Sequence, residues 1–178
     1  MNTSTLTRRA ALSAAAATMS FAVLAGGLAP AAGAASLPAY PEPAPYGRTF
    51  QTDPGHDFTK GLKPRKNGVL RGWISHYSGG LAEYQPVRYA RGKHVDRFVG
   101  PREGDVTGYA APIASNVIFL SAYGCKPGSG TTMDKRGVGT KRCSRTELLR
   151  RIKTGQKQPS LIWTVKGKIV KVAEIFTS

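Results

Sequence analysis

His76 and Glu83 flank Ser78-Gly79-Gly80-Leu81, and a two-residue turn at the glycines would set the two side chains opposite each other on paired strands. An imidazole facing a carboxylate is a general acid–base pair, which a small secreted hydrolase, most plausibly a nuclease, would need. The same register also describes an ordinary polar pair on a solvent face, and a change of one residue in the loop abolishes it. The three histidines His56, His76 and His94 show no metal-ligand spacing with one another or with the cysteines, so no metal is expected. The glycines between the cysteines lack the G-x-x-x-x-G-K-[ST] spacing of a phosphate cradle, and no cofactor is expected either.

Cys125 and Cys143 are the only cysteines. Behind an export signal, such a pair is expected to form a disulfide rather than a catalytic thiol. Around and after them lies a basic cluster: Lys135, Arg136, Lys141 and Arg142 in the intervening loop, then Arg145, Arg150 and Arg151 on the segment that follows. These seven are the candidate contacts to an anionic partner, against the alternative of a solvated helix face beside a stapled loop. Arg71, Trp73, Tyr77 and Tyr84 form a second candidate set, in which rings stack on bases while cations follow phosphates; a small barrel core would use the same rings.

The elements that must carry these residues are mostly strands. Val69–Tyr77 and Leu81–Tyr89 read as a hairpin, with Gly72 marking a coil or bulge in the first strand. A charged turn region follows from Arg91 to Asp105, then a third strand at Asn116–Tyr123 and a loop at 126–142. One helix is marked by Ser144 as N-cap, Glu147 at the capping-box position, Leu148, Leu149 and Ile152 on the inner face, and Gly155 as the stop. Arg145, Arg150, Arg151 and Lys153 are expected on its outer face. A second hairpin, Leu161–Val165 and Lys168–Phe176, turns at Lys166-Gly167. This order predicts a mainly β fold: a small five-stranded, partly open barrel, OB-like, with one α-helix between strands three and four.

The chain begins with Thr7-Arg8-Arg9, an apolar stretch from Ala10 to Leu28 and an A-x-A site near Ala34, the order of a signal peptide spanning residues 1–34. The arginine pair is twin-arginine-like but lacks the flanking residues of a full match, so either export route is open. Residues 35–66 are rich in proline and read as an extended, largely unstructured arm, which leaves 67–178 for the barrel domain. Cleavage would remove two of the 26 Lys and Arg and none of the 10 Asp and Glu, so the secreted product stays strongly basic.

The pattern Gly-x-Leu-x-Gly-x-Ile in the first strand (Gly68 to Ile74), a middle strand running to Cys125, a short helix, and a last hairpin ending Ala173-Glu174-Ile175-Phe176 resembles small secreted actinobacterial β-barrel proteins. That resemblance covers about Gly68 to Phe176; it implies a barrel and supplies no active site. The leading expectation for function is therefore a secreted, extracellular, non-catalytic module that binds an anionic polymer (nucleic acid or cell-wall polymer) or an acidic protein. The alternative is a small secreted nuclease built on His76 and Glu83.

Overall fold

The computed structural model describes residues 36–51, 66–101 and 108–178. The segment 1–34 expected to be a signal peptide, His56, the proline-rich stretch 52–65 and part of the charged turn region lie outside these residues. The chain forms strands β1 (Gly68–Ser78), β2 (Leu81–Pro86), β3 (Arg88–Ala90), β4 (Arg97–Val99), β5 (Tyr109–Ser121) and β6 (Lys141–Cys143). Helix α1 (Arg145–Lys153), β7 (Ser160–Val165) and β8 (Lys168–Glu174) complete it.

Five of these strands close on themselves. β2 pairs with β1, β1 with β7, β7 with β8, β8 in parallel with β5, and β5 with β2. With the helix between the third and fourth barrel strands, this is the expected OB-like order, and the ladder runs fully round, so the barrel is closed where a partly open one was expected.

Both hairpin turns follow from residue type. Gly79 and Gly80 take φ of 55° and 83°, and Lys166 and Gly167 take 50° and 73°, the doubly positive pair that a two-residue turn between twisted strands requires. Gly72 has a different reason: a Cβ there would lie 2.4 Å from the carbonyl oxygen of Gln85, so glycine lets β1 and β2 approach closely.

The helix also forms as its local signals dictate. The Ser144 side chain accepts the Glu147 backbone N–H at 3.2 Å, and Leu148 and Ile152 are buried against β1 and β5. The reciprocal half of the capping box is absent. Glu147 turns its carboxylate to Arg150 and Arg151 instead, because charge-assisted bonds to guanidinium groups outcompete one backbone amide.

Several boundaries differ from expectation for tertiary reasons. The second strand ends at Pro86, which has no N–H to donate, and Val87 donates instead to the Arg71 carbonyl at 3.0 Å. Arg88 and Tyr89, expected at the end of the second strand, and Ala90 instead pair with Arg97–Val99, inside the expected turn region, in a separate two-stranded sheet. The third barrel strand begins seven residues earlier than its β-branched run, at Tyr109, because its first half pairs with β2 and its second half with β8 and β6.

The barrel interior is filled by Leu70, Ile74, Tyr84, Val117, Phe119, Ile162, Ile169 and Val172, with α1 against it. A second apolar cluster lies on the outside of β1, β7 and β8, where Val69, Leu161, Trp163, Ala173 and Ile175 are covered by Val138, Phe98 and Tyr40. Part of the segment that read as an arm is thus tied down. Residues 38–51 have no helix or strand, yet they run over this outer cluster and hold Arg71, which is only 2% exposed. Its guanidinium donates to the carbonyls of Val87 at 2.9 Å, Ala44 at 2.6 Å and Thr49 at 2.5 Å. Burial lowers the pKa of this cation, which has carbonyl oxygens and, among the described residues, no carboxylate around it.

Candidate functional site

The paired strands place His76 opposite Glu83 in the expected register, with both side chains exposed on the outer face. Beyond that pair the register shifts at a bulge between Ile74 and His76. It leaves Trp73 and His76 pointing outward and sends Ile74 and Tyr77 inward. The aromatic set expected to lie on one face is therefore divided. Tyr84 is 1% exposed with its ring 5.4 Å from that of Tyr109, Tyr77 packs on the core, and Trp73 lies outside with Lys157 Nζ 5.9 Å from its ring centroid.

The hollow beside Glu83 is lined by Ser75, Tyr84, Gln85, Gly108, Tyr109 and Ala110; neither His76 nor any described cation lines it. The outward side chains of β2 and β5 around it, Leu81, Glu83, Gln85, Ala110 and Pro112, offer no aromatic ring and no positive charge. In barrels of this type that face is the one that binds oligonucleotides and oligosaccharides.

The seven basic candidates fall into four groups. Arg136 is paired with Glu42 at 3.0 Å and Asp134 at 3.1 Å, and Arg150 grips Glu147 through two bonds of 2.7 and 2.8 Å. Lys135, Lys141 and Arg142 are exposed, and no described acid pairs with them. Arg145 reaches the Tyr77 hydroxyl at 3.4 Å, while its Nε is buried without a hydrogen-bond partner.

Arg151 differs most from expectation. Its side chain is 11% exposed rather than outward, and it donates to Glu147 at 2.8 Å, Glu174 at 2.7 Å, Ser121 Oγ at 3.0 Å and the Gly124 carbonyl at 2.5 Å. Its guanidinium also lies 5.4 Å from the Phe119 ring centroid. Burial works to lower its pKa, and the two carboxylates outweigh burial and raise it, so the charge is permanent. Hydrogen bonds from Arg150 and then Arg151 hold Glu147 at about 2.

Above Arg151 opens a cleft of about 500 Å³ that the sequence did not disclose. Its lining brings together four cations, Lys126, Arg150, Arg151 and Lys157, and one carboxylate, Glu174. The Cys125–Cys143 disulfide positions one wall: it clamps Cys125, and with it Lys126, to the residue that precedes the N-cap of α1. Lys157 comes from the connection after the Gly155 stop. The floor is held by Tyr123, whose hydroxyl accepts from Gln158 Nε2 at 3.1 Å and from the Thr177 backbone N–H at 2.7 Å. The helix C-terminus brings only a partial negative charge to the same end, which the lining cations outweigh.

Lys126, within the 126–142 loop counted in the basic cluster, was not singled out and Lys157 was missed, because nothing in their local sequence distinguishes them from other surface lysines. The nearest signal is position, beside a disulfide and just past a helix stop. Among the described residues no group of three His, Cys, Asp or Glu side chains could hold a metal ion, and no helix is long and apolar enough to cross a membrane. Compared with known proteins, the chain matches no protein family, no curated protein and no solved structure.

Proposed function

We propose that the chain is a secreted, non-catalytic module that binds an anionic polymer or an acidic protein segment, with the cleft above Arg151 as the principal contact. The observation that carries this reading is the charge of that cleft, four cations against one carboxylate, with Lys126 and Lys157 unpaired by any described acid. Arg151 and Glu174 satisfy each other and form the base, so the two lysines, aided by the outer half of Arg150, are the groups left to take up a new negative charge. Lys135, Lys141 and Arg142 extend the positive surface along the loop and β6.

The signal-peptide pattern supports action outside the cytoplasm, and the disulfide is compatible with it. The binding reading is favoured over the nuclease reading because the hollow beside Glu83 excludes His76 and has no described cation to hold a phosphate.

The test is a salt titration of binding to RNA, DNA and teichoic acid. Affinity should fall steeply between roughly 50 and 200 mM salt, and Lys126→Gln with Lys157→Gln should flatten the log–log slope by about two units. Salt-insensitive binding, or a slope unchanged in the double variant, refutes the cleft as the contact. His76→Ala should leave binding unchanged. A nuclease activity of the wild type that disappears in His76→Ala would replace this reading with the catalytic one.

A further inference from the structure

Another cavity, of about 230 Å³ and of opposite character, shares Thr177 with the cleft. Four aromatic rings line it. The β3–β4 register sets Tyr89 directly opposite Phe98, with centroids 5.5 Å apart at 61°. Tyr46, from the strap over the barrel, closes on both, at 5.3 Å and 75° to Tyr89 and at 6.0 Å to Phe98. Phe176 follows β8, braced by the Tyr123 ring at 5.7 Å.

These rings are held in place by their polar ends. The Tyr46 hydroxyl donates to the Phe176 carbonyl at 3.0 Å, and the Tyr89 hydroxyl donates to the Asp96 carboxylate. Asp96 also accepts the Gly92 backbone N–H at 3.1 Å, so the carboxylate is anchored at the rim.

The charge of the cavity runs against that of the chain. The protein carries +16, yet among the described residues no Lys, Arg or His lines this space, and its one charged side chain is Asp96. Arg91 is close enough to Asp96 to interact with it but is not part of the lining. Aromatic faces present negative charge to a ligand and attract a cation that is large and weakly hydrated, and a carboxylate at the rim adds a counter-ion. The volume suits a small group rather than a drug-sized ligand.

We propose that the cavity formed by Tyr46, Tyr89, Phe98, Phe176 and Asp96 binds a quaternary ammonium group. Its recognition is independent of the polyanion cleft, since the two sites share Thr177 in their lining but no charged side chain.

The probe is choline, titrated into the secreted protein at constant ionic strength and followed by NMR of the aromatic side chains. Saturable binding at about millimolar affinity is expected, with shifts centred on Tyr46, Tyr89 and Phe98. The uncharged carbon isostere of choline, dimethylbutanol, should bind about ten-fold more weakly or worse, because it keeps the shape and loses the charge. Asp96→Asn, which preserves an acceptor for Gly92 at an exposed position, should weaken choline severalfold while leaving the fold intact. Binding to phosphatidylcholine vesicles that choline competes away would identify a lipid headgroup as the source of the ammonium; choline binding without vesicle binding would identify a soluble or chain-borne one. Equal binding of choline and dimethylbutanol, or no saturable choline binding, overturns the proposal.

Discussion

Replacing Arg151 by Met keeps most of the aliphatic stem over Phe119 and removes the charge that the buried Glu174 faces. Glu174, with its side chain 3% exposed, would retain only the Ser121 hydroxyl at 2.6 Å and the Ala122 N–H at 3.0 Å as donors. A carboxylate stripped of its cation in such a site costs about 3–5 kcal/mol, because desolvation is no longer offset by the pair. For a domain of this size that lowers Tm by roughly 10 °C or more. The matched control is Arg150→Gln, which breaks an ion pair whose arginine is half exposed and should cost under about 1 kcal/mol. Differential scanning calorimetry of the wild type, Arg151→Met, Glu174→Gln and the double variant completes the cycle. The double variant should be clearly more stable than the sum of the single losses predicts. If Arg151→Met costs no more than Arg150→Gln, or if the two losses simply add, the pair is not the buried anchor described here and Arg151 belongs with the surface cations.

Reduction of Cys125–Cys143, or Cys125→Ser with Cys143→Ser, should lower stability by about 3 kcal/mol for a sequence separation of 18, read from the urea midpoint. It should also weaken polyanion binding, because Lys126 loses its clamp to the helix. Glu147 is held at about 2 against an ordinary 4.5, so the stability it contributes is fully present above about pH 4.5 and is lost as pH falls toward 2. Acid unfolding of Glu147→Gln should show a shallower loss over that window, and identical curves would count against the pairing. Gly72→Ala puts a Cβ 2.4 Å from a backbone carbonyl oxygen, so β1 and β2 must separate; a loss of about 1–3 kcal/mol is expected in thermal melts, and a neutral result would mean that the strands have room to spare.

The local signals were legible wherever the physics is local. The double-glycine turn needs only a residue type that tolerates positive φ, and it alone set the register that puts His76 opposite Glu83. Ser144 caps its helix through a bond three residues away, and the two cysteines had one partner each to choose. The order of strands and helix pointed to the barrel because it matches the five-stranded barrel pattern, and the β1–β7 and β5–β8 pairings that close it join strands far apart along the chain.

What escaped the sequence was decided by residues far apart along the chain. The bulge at Ser75 reversed the facing of Trp73 relative to Tyr77 and Tyr84, and a strand pattern of period two cannot show one inserted residue. Arg136 and Arg151 looked like free surface cations until folding brought Glu42 and Glu174 to them, from 94 and 23 residues away. Lys126 and Lys157 became candidate ligand contacts for the converse reason, since folding left them beside a cleft with no described acid as partner. The aromatic cavity needed three separate pieces, the strap at Tyr46, the β3–β4 pair and the residue after β8, none of which has any local reason to meet the others. Sequence by itself thus determined the five barrel strands, the helix, their order and the disulfide, through backbone preference and short-range bonding. Tertiary structure alone decided which charges are neutralised and which remain to act, because Coulomb pairing and burial depend on distance in space and not on distance along the chain.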